Sequence, residues 1–132
     1  MISYQELMQM AIDARKYSYN PYSGFAVGAA LLCKDGTVYT GCNIENASYS
    51  PTNCAERTAF FKAVSEGKRE FQAIAIAGGR ENDLVVCYPC GVCRQVMAEF
   101  CDMKEFKVIC GDSIEKIEIY HLEELLPKSF QL

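Results

Sequence analysis

The sequence predicts an α/β domain in which helices cover a mixed β-sheet, and three observations lead there. Helical and extended patterns alternate along the chain. The segment Phe25–Cys33 is apolar at both alternating positions, the pattern of a strand buried on two faces. The length of 132 residues matches one domain with one core, spanning residues 1–132. The predicted architecture is an α-β-α layered domain with a central mixed five-stranded sheet.

The elements follow in chain order. Ser3 with Glu6 has capping-box spacing, and Tyr4, Leu7, Met8, Ala11, Ala14 and Ser18 recur at helical intervals. Asn20-Pro21-Tyr22-Ser23-Gly24 breaks that helix. After the strand Phe25–Cys33, Asp35-Gly36 is a hairpin turn and Val38–Cys42 the return strand. A polar loop, Asn43–Asn53, leads to a second helix over Cys54–Ser65, with Gly67 just past its end. Phe71–Ala77 is a third strand, ended by Gly78-Gly79, and Arg80–Val86 crosses to a Cys-rich turn. A third helix covers Gly91–Cys101, with Val92, Val96, Met97 and Phe100 on one side. Phe106–Cys110 and Ile114–Ile119 are strands around Gly111-Asp112-Ser113, and Leu122–Leu126 is a short helix stopped by Pro127.

Composition narrows the function. Half of the residues are hydrophobic and 23% are charged, a balance that folds. No apolar run approaches the ~18 residues of a membrane span. Met1–Met10 has no basic start, so no secretory signal is expected. The net charge of −4, with Lys and Arg scattered, disfavours a nucleic-acid polymer and suits a small neutral substrate. Eight cysteines admit two readings, a secreted disulfide scaffold or a cytoplasmic protein using thiols for metal. A chain of this length needs no staples, so the second is the better fit.

Three cysteines have a metal-binding arrangement. Cys90 and Cys93 form Pro-Cys-x-x-Cys at a helix start, where one turn brings both sulfurs to one side. Cys54 opens the preceding helix in Cys-Ala-Glu and must meet them in space. Three thiolates at about 2.3 Å leave one zinc position open, the catalytic pattern. Helix N-termini also favour thiolate over thiol. Glu56, two residues after Cys54, can reach a water at the metal without ligating it, and can carry protons there. Asn53 and Glu56 also have capping-box spacing, which would make Glu56 a helix cap. Cys87 extends the pattern to Cys-x-x-Cys-x-x-Cys, and a fourth ligand there would close the site into a structural module. Cys33, Cys42, Cys101 and Cys110 lie in apolar runs, as small core residues do. His121, the lone histidine, starts a short helix and stands outside the site. Asn43 and Glu45 would point the same way on an extended segment, whether as a grip on a sugar diol or as ordinary loop residues.

Taken together, Cys54-Ala55-Glu56-Arg57 and Pro89-Cys90-Gly91-Val92-Cys93-Arg94-Gln95 resemble the small homotetrameric zinc-dependent cytidine deaminases. So do Tyr22-Ser23-Gly24-Phe25-Ala26-Val27-Gly28-Ala29-Ala30, Gly41-Cys42-Asn43-Ile44-Glu45-Asn46, and Leu125-Leu126-Pro127 with Phe130. The resemblance implies one Zn²⁺ per chain on Cys54, Cys90 and Cys93, with Glu56 as proton shuttle, a role known for the wider zinc deaminase class. It implies ribose contacts from Asn43 and Glu45, packing of Phe25 on the nucleoside, and base-edge contacts from the backbone around Ala55. Arg57 and Arg94 would lie beside the ligand sulfurs, offsetting the excess charge of three thiolates over Zn²⁺. Phe130 would reach a neighbouring subunit's pocket in a homotetramer with shared active sites. The implied reaction is hydrolytic deamination of cytidine and deoxycytidine, a step of pyrimidine salvage. Two other readings are deamination of a modified cytosine nucleoside such as blasticidin S, and a non-catalytic zinc module that includes Cys87. Deaminases of nucleotides or nucleic acid carry His where Cys54 stands, a departure that points to a free nucleoside.

Overall fold

Ser3 starts the first helix, α1 (Tyr4–Ala14), by accepting a hydrogen bond from the Glu6 amide at 3.0 Å. Glu6 answers by accepting from the Ser3 hydroxyl rather than from its amide, so half of the capping box forms. Leu7, Met8, Ala11 and Ala14 make the buried stripe of α1. A 3₁₀ turn over Arg15–Tyr17 then tightens the chain, so Ser18 falls outside the helix its spacing suggested. This computed structural model describes all residues, 1–132.

The remaining elements are β1 (Ala26–Cys33), β2 (Val38–Cys42), α2 (Ala55–Ser65), β3 (Phe71–Arg80), β4 (Asp83–Val85), α3 (Gly91–Phe100), β5 (Lys107–Gly111), β6 (Ile117–His121) and α4 (Leu122–Leu125). The main sheet has the order β2-β1-β3-β5-β6. Only β3 and β5 pair in parallel, joined by the crossover that contains α3; the other neighbours are antiparallel. The expected five-stranded mixed sheet is therefore present, with β4 as a sixth, short strand on β3.

That sixth strand corrects the reading of Gly78-Gly79. The glycines lie inside β3 and pair with Val85 and Leu84. A Cβ on Gly79 would stand 2.1 Å from the Asp83 carbonyl oxygen, so only glycine permits the tight return into β4. The last strand also shifts from its expected span, to Ile117–His121.

The layers follow from strand alternation. Ala29, Leu31 and Cys33 face one core with Ile74, Ile76, Val108 and Cys110, under Phe60 of α2 and Met97 of α3. Ala30 and Leu32 face a second core with Ala73, Ala75, Ala77 and Ile109, under Leu7, Met8 and Ala11 of α1. Helices thus cover both faces, and α2 and α3 share the side that carries the candidate site. Val92, expected on the buried side of α3, is 58% exposed; Cys93, Met97 and Ala98 are the buried residues instead. No helix is long and apolar enough to cross a membrane.

Candidate active site

Two helix N-termini meet on the α2–α3 face. Cys54 is the N-cap of α2 and Cys90 the N-cap of α3, each in extended backbone. Cys93 lies in the first turn of α3 and is buried. Gly41 makes the approach of α2 possible, because a Cβ there would stand 2.5 Å from the Ala55 carbonyl oxygen and 2.6 Å from the Ala59 nitrogen. The first turn of α2 therefore rests directly on β2, with Ala55 fully buried.

The sulfurs of Cys54, Cys90 and Cys93 all lie within 4.8 Å of one another. Cys54 Sγ and Cys90 Sγ are 3.8 Å apart. A tetrahedral ion with arms of about 2.3 Å separates its sulfurs by roughly 3.8 Å, so the Cys54–Cys90 pair has the spacing of zinc ligands and the group of three suits the ion. Cys87 is outside this group, so no four-thiolate cage forms. It packs beside the main core instead, and burial pushes its thiol up to about 11.

The electrostatics of the group are uneven. Hydrogen bonds from the Cys93 thiol and from Arg57 bring the Cys54 thiol down to about 5. Cys93 moves the other way, raised by its bond to Cys54 and by burial. Arg57 Nη2 lies 3.3 Å from Cys54 Sγ, while its Nε is buried with no partner. A cation against a thiolate cluster suits a site whose three sulfurs exceed the charge of Zn²⁺ by one.

Glu56 is the only buried charged side chain in the protein, at 4% exposure. Burial, with the nearby Cys54 thiolate, raises its carboxyl to about 7. The Asn53–Glu56 capping box does not form: Cys54 is the N-cap of α2 with no side-chain cap bond, Asn53 donates to Thr58 Oγ1, and the Glu56 carboxyl bonds its own amide and the Cys93 thiol. The capping alternative for Glu56 is therefore not what forms.

Arg94 takes different partners from those its motif implied. Its Nε donates to the Pro89 carbonyl at 2.7 Å and its Nη1 to the Leu125 carbonyl at 2.6 Å. It braces the loop before Cys90 against the C-terminal helix, and no hydrogen bond links it to a sulfur. Gln95 next to it donates to the Phe130 carbonyl at 3.1 Å, and Phe130 is 68% exposed.

Asn43 and Glu45 do point the same way, toward the segment 22–27. Asn43 Oδ1 accepts from the Val27 amide and the Ser18 hydroxyl, and its Nδ2 donates to the Phe25 carbonyl at 2.9 Å. Glu45 accepts from the amides of Tyr22 and Ser23 at 3.0 and 3.1 Å, and from the Ser23 hydroxyl. Phe25 is half-buried at the mouth of β1. Glu45 also lines a cavity of about 360 Å³ with Tyr22, Ser23, Asn46, Tyr49 and Thr52. None of the cysteines lines it, so the concave wall and the metal-ligating group are neighbours in sequence rather than one pocket. Sequence reasoning missed Ser18 and Ser23 as the groups that hold Asn43 and Glu45. Their signal was slight, two serines flanking a Pro-containing turn.

Comparison with known proteins follows the same lines. Residues 1–110 match the family described as cytidine and deoxycytidylate deaminase zinc-binding region. The chain is 53% identical over 126 residues to a cytidine deaminase of Halalkalibacterium halodurans, covering 96% of this chain and 92% of that one. It is 51% identical over 126 residues to a cytidine deaminase of Sporosarcina psychrophila, covering 96% and 90%. The fold superposes on the crystal structure of cytidine deaminase from Burkholderia pseudomallei with a TM-score of 0.88 at 43% identity, covering 98% of this chain and 100% of that one. For the cytidine deaminase of Mycobacterium tuberculosis the TM-score is 0.82 at 38% identity, covering 100% of both chains.

Proposed function

The chain belongs to the cytidine and deoxycytidylate deaminase family, and from that premise we propose that it hydrolyses cytidine and deoxycytidine to uridine and deoxyuridine, water adding at C4 of the ring and ammonia leaving. One observation carries this reading: the protein's only buried charged side chain, Glu56, stands beside three convergent sulfurs at two helix N-termini. Cys54, Cys90 and Cys93 are the ligands of one zinc ion per chain. When bound, zinc supplies Lewis acidity that makes water nucleophilic near neutral pH.

The chain's own residues do the rest. Glu56 accepts a proton from the attacking water and passes it to ring N3, then takes the second proton from the hydroxyl now on C4 and delivers it to the departing amine, leaving the C4 carbonyl and ammonia. Burial raises its carboxyl above the usual carboxylate range, which favours a group that holds a proton between transfers. Arg57 draws charge from the Cys54 sulfur. Asn43 and Glu45 serve the ribose. Their own hydrogen bonds pre-orient them, leaving one N–H of Asn43 free to donate. Phe25 packs on the nucleoside and the backbone at Ala55 meets the base edge. Arg94 acts on the site by bracing Pro89 and α4.

The proposed setting is a single cytoplasmic domain working on a free nucleoside, assembled as a homotetramer with shared active sites. An exposed Phe130 on a tail fastened to α3 suits a wall lent to a neighbour. The test is ammonia release from cytidine by the zinc-loaded protein, with blasticidin S as competitor. Loss of cytidine absorbance with stoichiometric ammonia supports the reading. Zinc-replete protein that releases none is a non-catalytic metal module.

A further inference from the structure

The ligand loop is held by side chains rather than by its backbone. Residues 86–90 join β4 to α3. No amide of residues 86–88 donates to another backbone carbonyl, and Pro89 has none to donate. Two tethers remain. One is the bond from Arg94 to the Pro89 carbonyl. The other starts at Tyr88, two residues before Cys90, whose hydroxyl donates to Glu118 Oε1 at 2.7 Å.

Glu118 is well placed to receive it. It lies on β6, the edge strand of the main sheet on this side, opposite Cys110, with Tyr120 opposite Val108. Cys110 and Val108 belong to the core under α2 and α3, so Glu118 and Tyr120 stand on the same face as the cysteine cluster. Tyr120 donates to the same Glu118 oxygen at 2.5 Å, and the two phenol rings meet edge-on with centroids 6.1 Å apart. The protein's one salt bridge is Lys68–Asp35, so Glu118 has phenols rather than a cation as partners. Hydrogen bonds to a charged acceptor are the strong class.

We propose that Tyr88, tied to Glu118 and backed by Tyr120, is a positioning residue that holds the Cys90–Cys93 loop against the metal and slows zinc release. The inference rests on the reading of Cys54, Cys90 and Cys93 as zinc ligands. A ligand loop without a backbone ladder depends on its side-chain contacts to stay closed, and each opening exposes the ion to exchange. Fixing Tyr88 closes that route at a second point, one residue before the Pro89 carbonyl that Arg94 holds. Outer partners of metal ligands commonly change metal affinity ~10–100-fold.

The experiment follows zinc transfer from the loaded protein to excess 4-(2-pyridylazo)resorcinol. Tyr88→Phe removes only the hydroxyl, and release is expected to be about 10-fold faster. Glu118→Leu gives a similar rate, and the double variant is no faster than either single, because both act through one bond. Tyr120→Phe leaves the Tyr88 tether in place and changes release by less than about 2-fold. A merely structural cluster would lower the melting temperature in all three variants without separating their release rates. Wild-type release from Tyr88→Phe, or a double variant equal to the product of the singles, overturns the inference. Should Glu118→Leu fail to fold, Tyr88→Phe against Tyr120→Phe decides it. Zinc content of the unaltered protein and of Cys90→Ser tests the underlying reading separately. Zinc held through Cys90 with unchanged Tyr88→Phe rates sinks the tether alone, and no zinc at all sinks both.

Discussion

A carboxylate at 4% exposure has lost nearly all its water, and Glu56 recovers that cost only through what lies beside it. Glu56→Gln keeps the shape and removes the proton carrier. Turnover is expected to fall beyond the ~10²–10⁴ of ordinary acid–base catalysis, because one group serves several transfers. Zinc content and nucleoside binding should survive, as metal analysis and equilibrium dialysis would show. Near-normal turnover would remove Glu56 from the chemistry. Cys87→Ser is the matching control at the metal, since its sulfur is outside the group of three. Its zinc stoichiometry should equal that of the unaltered protein; stoichiometric loss would make Cys87 a ligand. Asn43 behaves differently from a pure substrate contact. Asn43→Ala would strand the Val27 amide and the Phe25 carbonyl. Each orphan costs about 1–3 kcal/mol, so the melting temperature should drop along with cytidine affinity. A variant that loses affinity at an unchanged melting temperature would show that the pin is not structural.

At the scale of elements, the site depends on how closely α2 approaches β2. Gly41→Ala would push a methyl into the Ala55 carbonyl. Overpacking of this kind costs about 1–3 kcal/mol and would displace the turn that carries Cys54. The expected result is a lower melting temperature and faster zinc loss to a chelator; unchanged values would mean that α2 has slack at this point. Most elements were readable from periodicity and turn residues. The two-sided apolar run of β1 and the Asp35-Gly36 turn appear as expected. Gly78-Gly79 was misread because glycine marks both a strand end and a close approach inside one. Only the neighbouring strand, at Asp83, decides which. Val92 shows the same limit on α3. Helical spacing placed it with Val96 and Met97, yet the stripe that packs is centred on Cys93 and Met97.

For the whole molecule, the C-terminal tail is the element proposed to cover the exposed end of a neighbouring site. Phe130 is 68% exposed and its carbonyl is fastened to α3, a poor arrangement for a frayed terminus and a good one for a shared wall. Removing Ser129–Leu132 should raise the Michaelis constant for cytidine while zinc stays bound. Co-refolding that chain with Glu56→Gln chains should partly restore affinity. Some mixed sites then combine an intact Glu56 with an intact neighbouring tail. Unaltered kinetics in the truncated enzyme would mean that Phe130 lines no site. Sedimentation of the unaltered protein should give a tetramer.

The sequence by itself determined the chemistry. Cys-x-x-Cys at a helix start and a distant Cys-Ala-Glu are local facts about residue type and spacing, and they name a thiolate metal site with a carboxyl two residues from one ligand. Tertiary structure decided what spacing alone left open around it. Cys87 is three residues from Cys90, as Cys93 is, yet only Cys93 turns inward with Cys54. Arg57 reaches a sulfur while Arg94 spans two backbone carbonyls. Tyr88 and Glu118 carry no motif and meet only because β6 borders the face where α3 begins. Spacing fixes direction over a turn or two of helix, whereas convergence of distant segments depends on how helices seat on the sheet, and that is settled by packing.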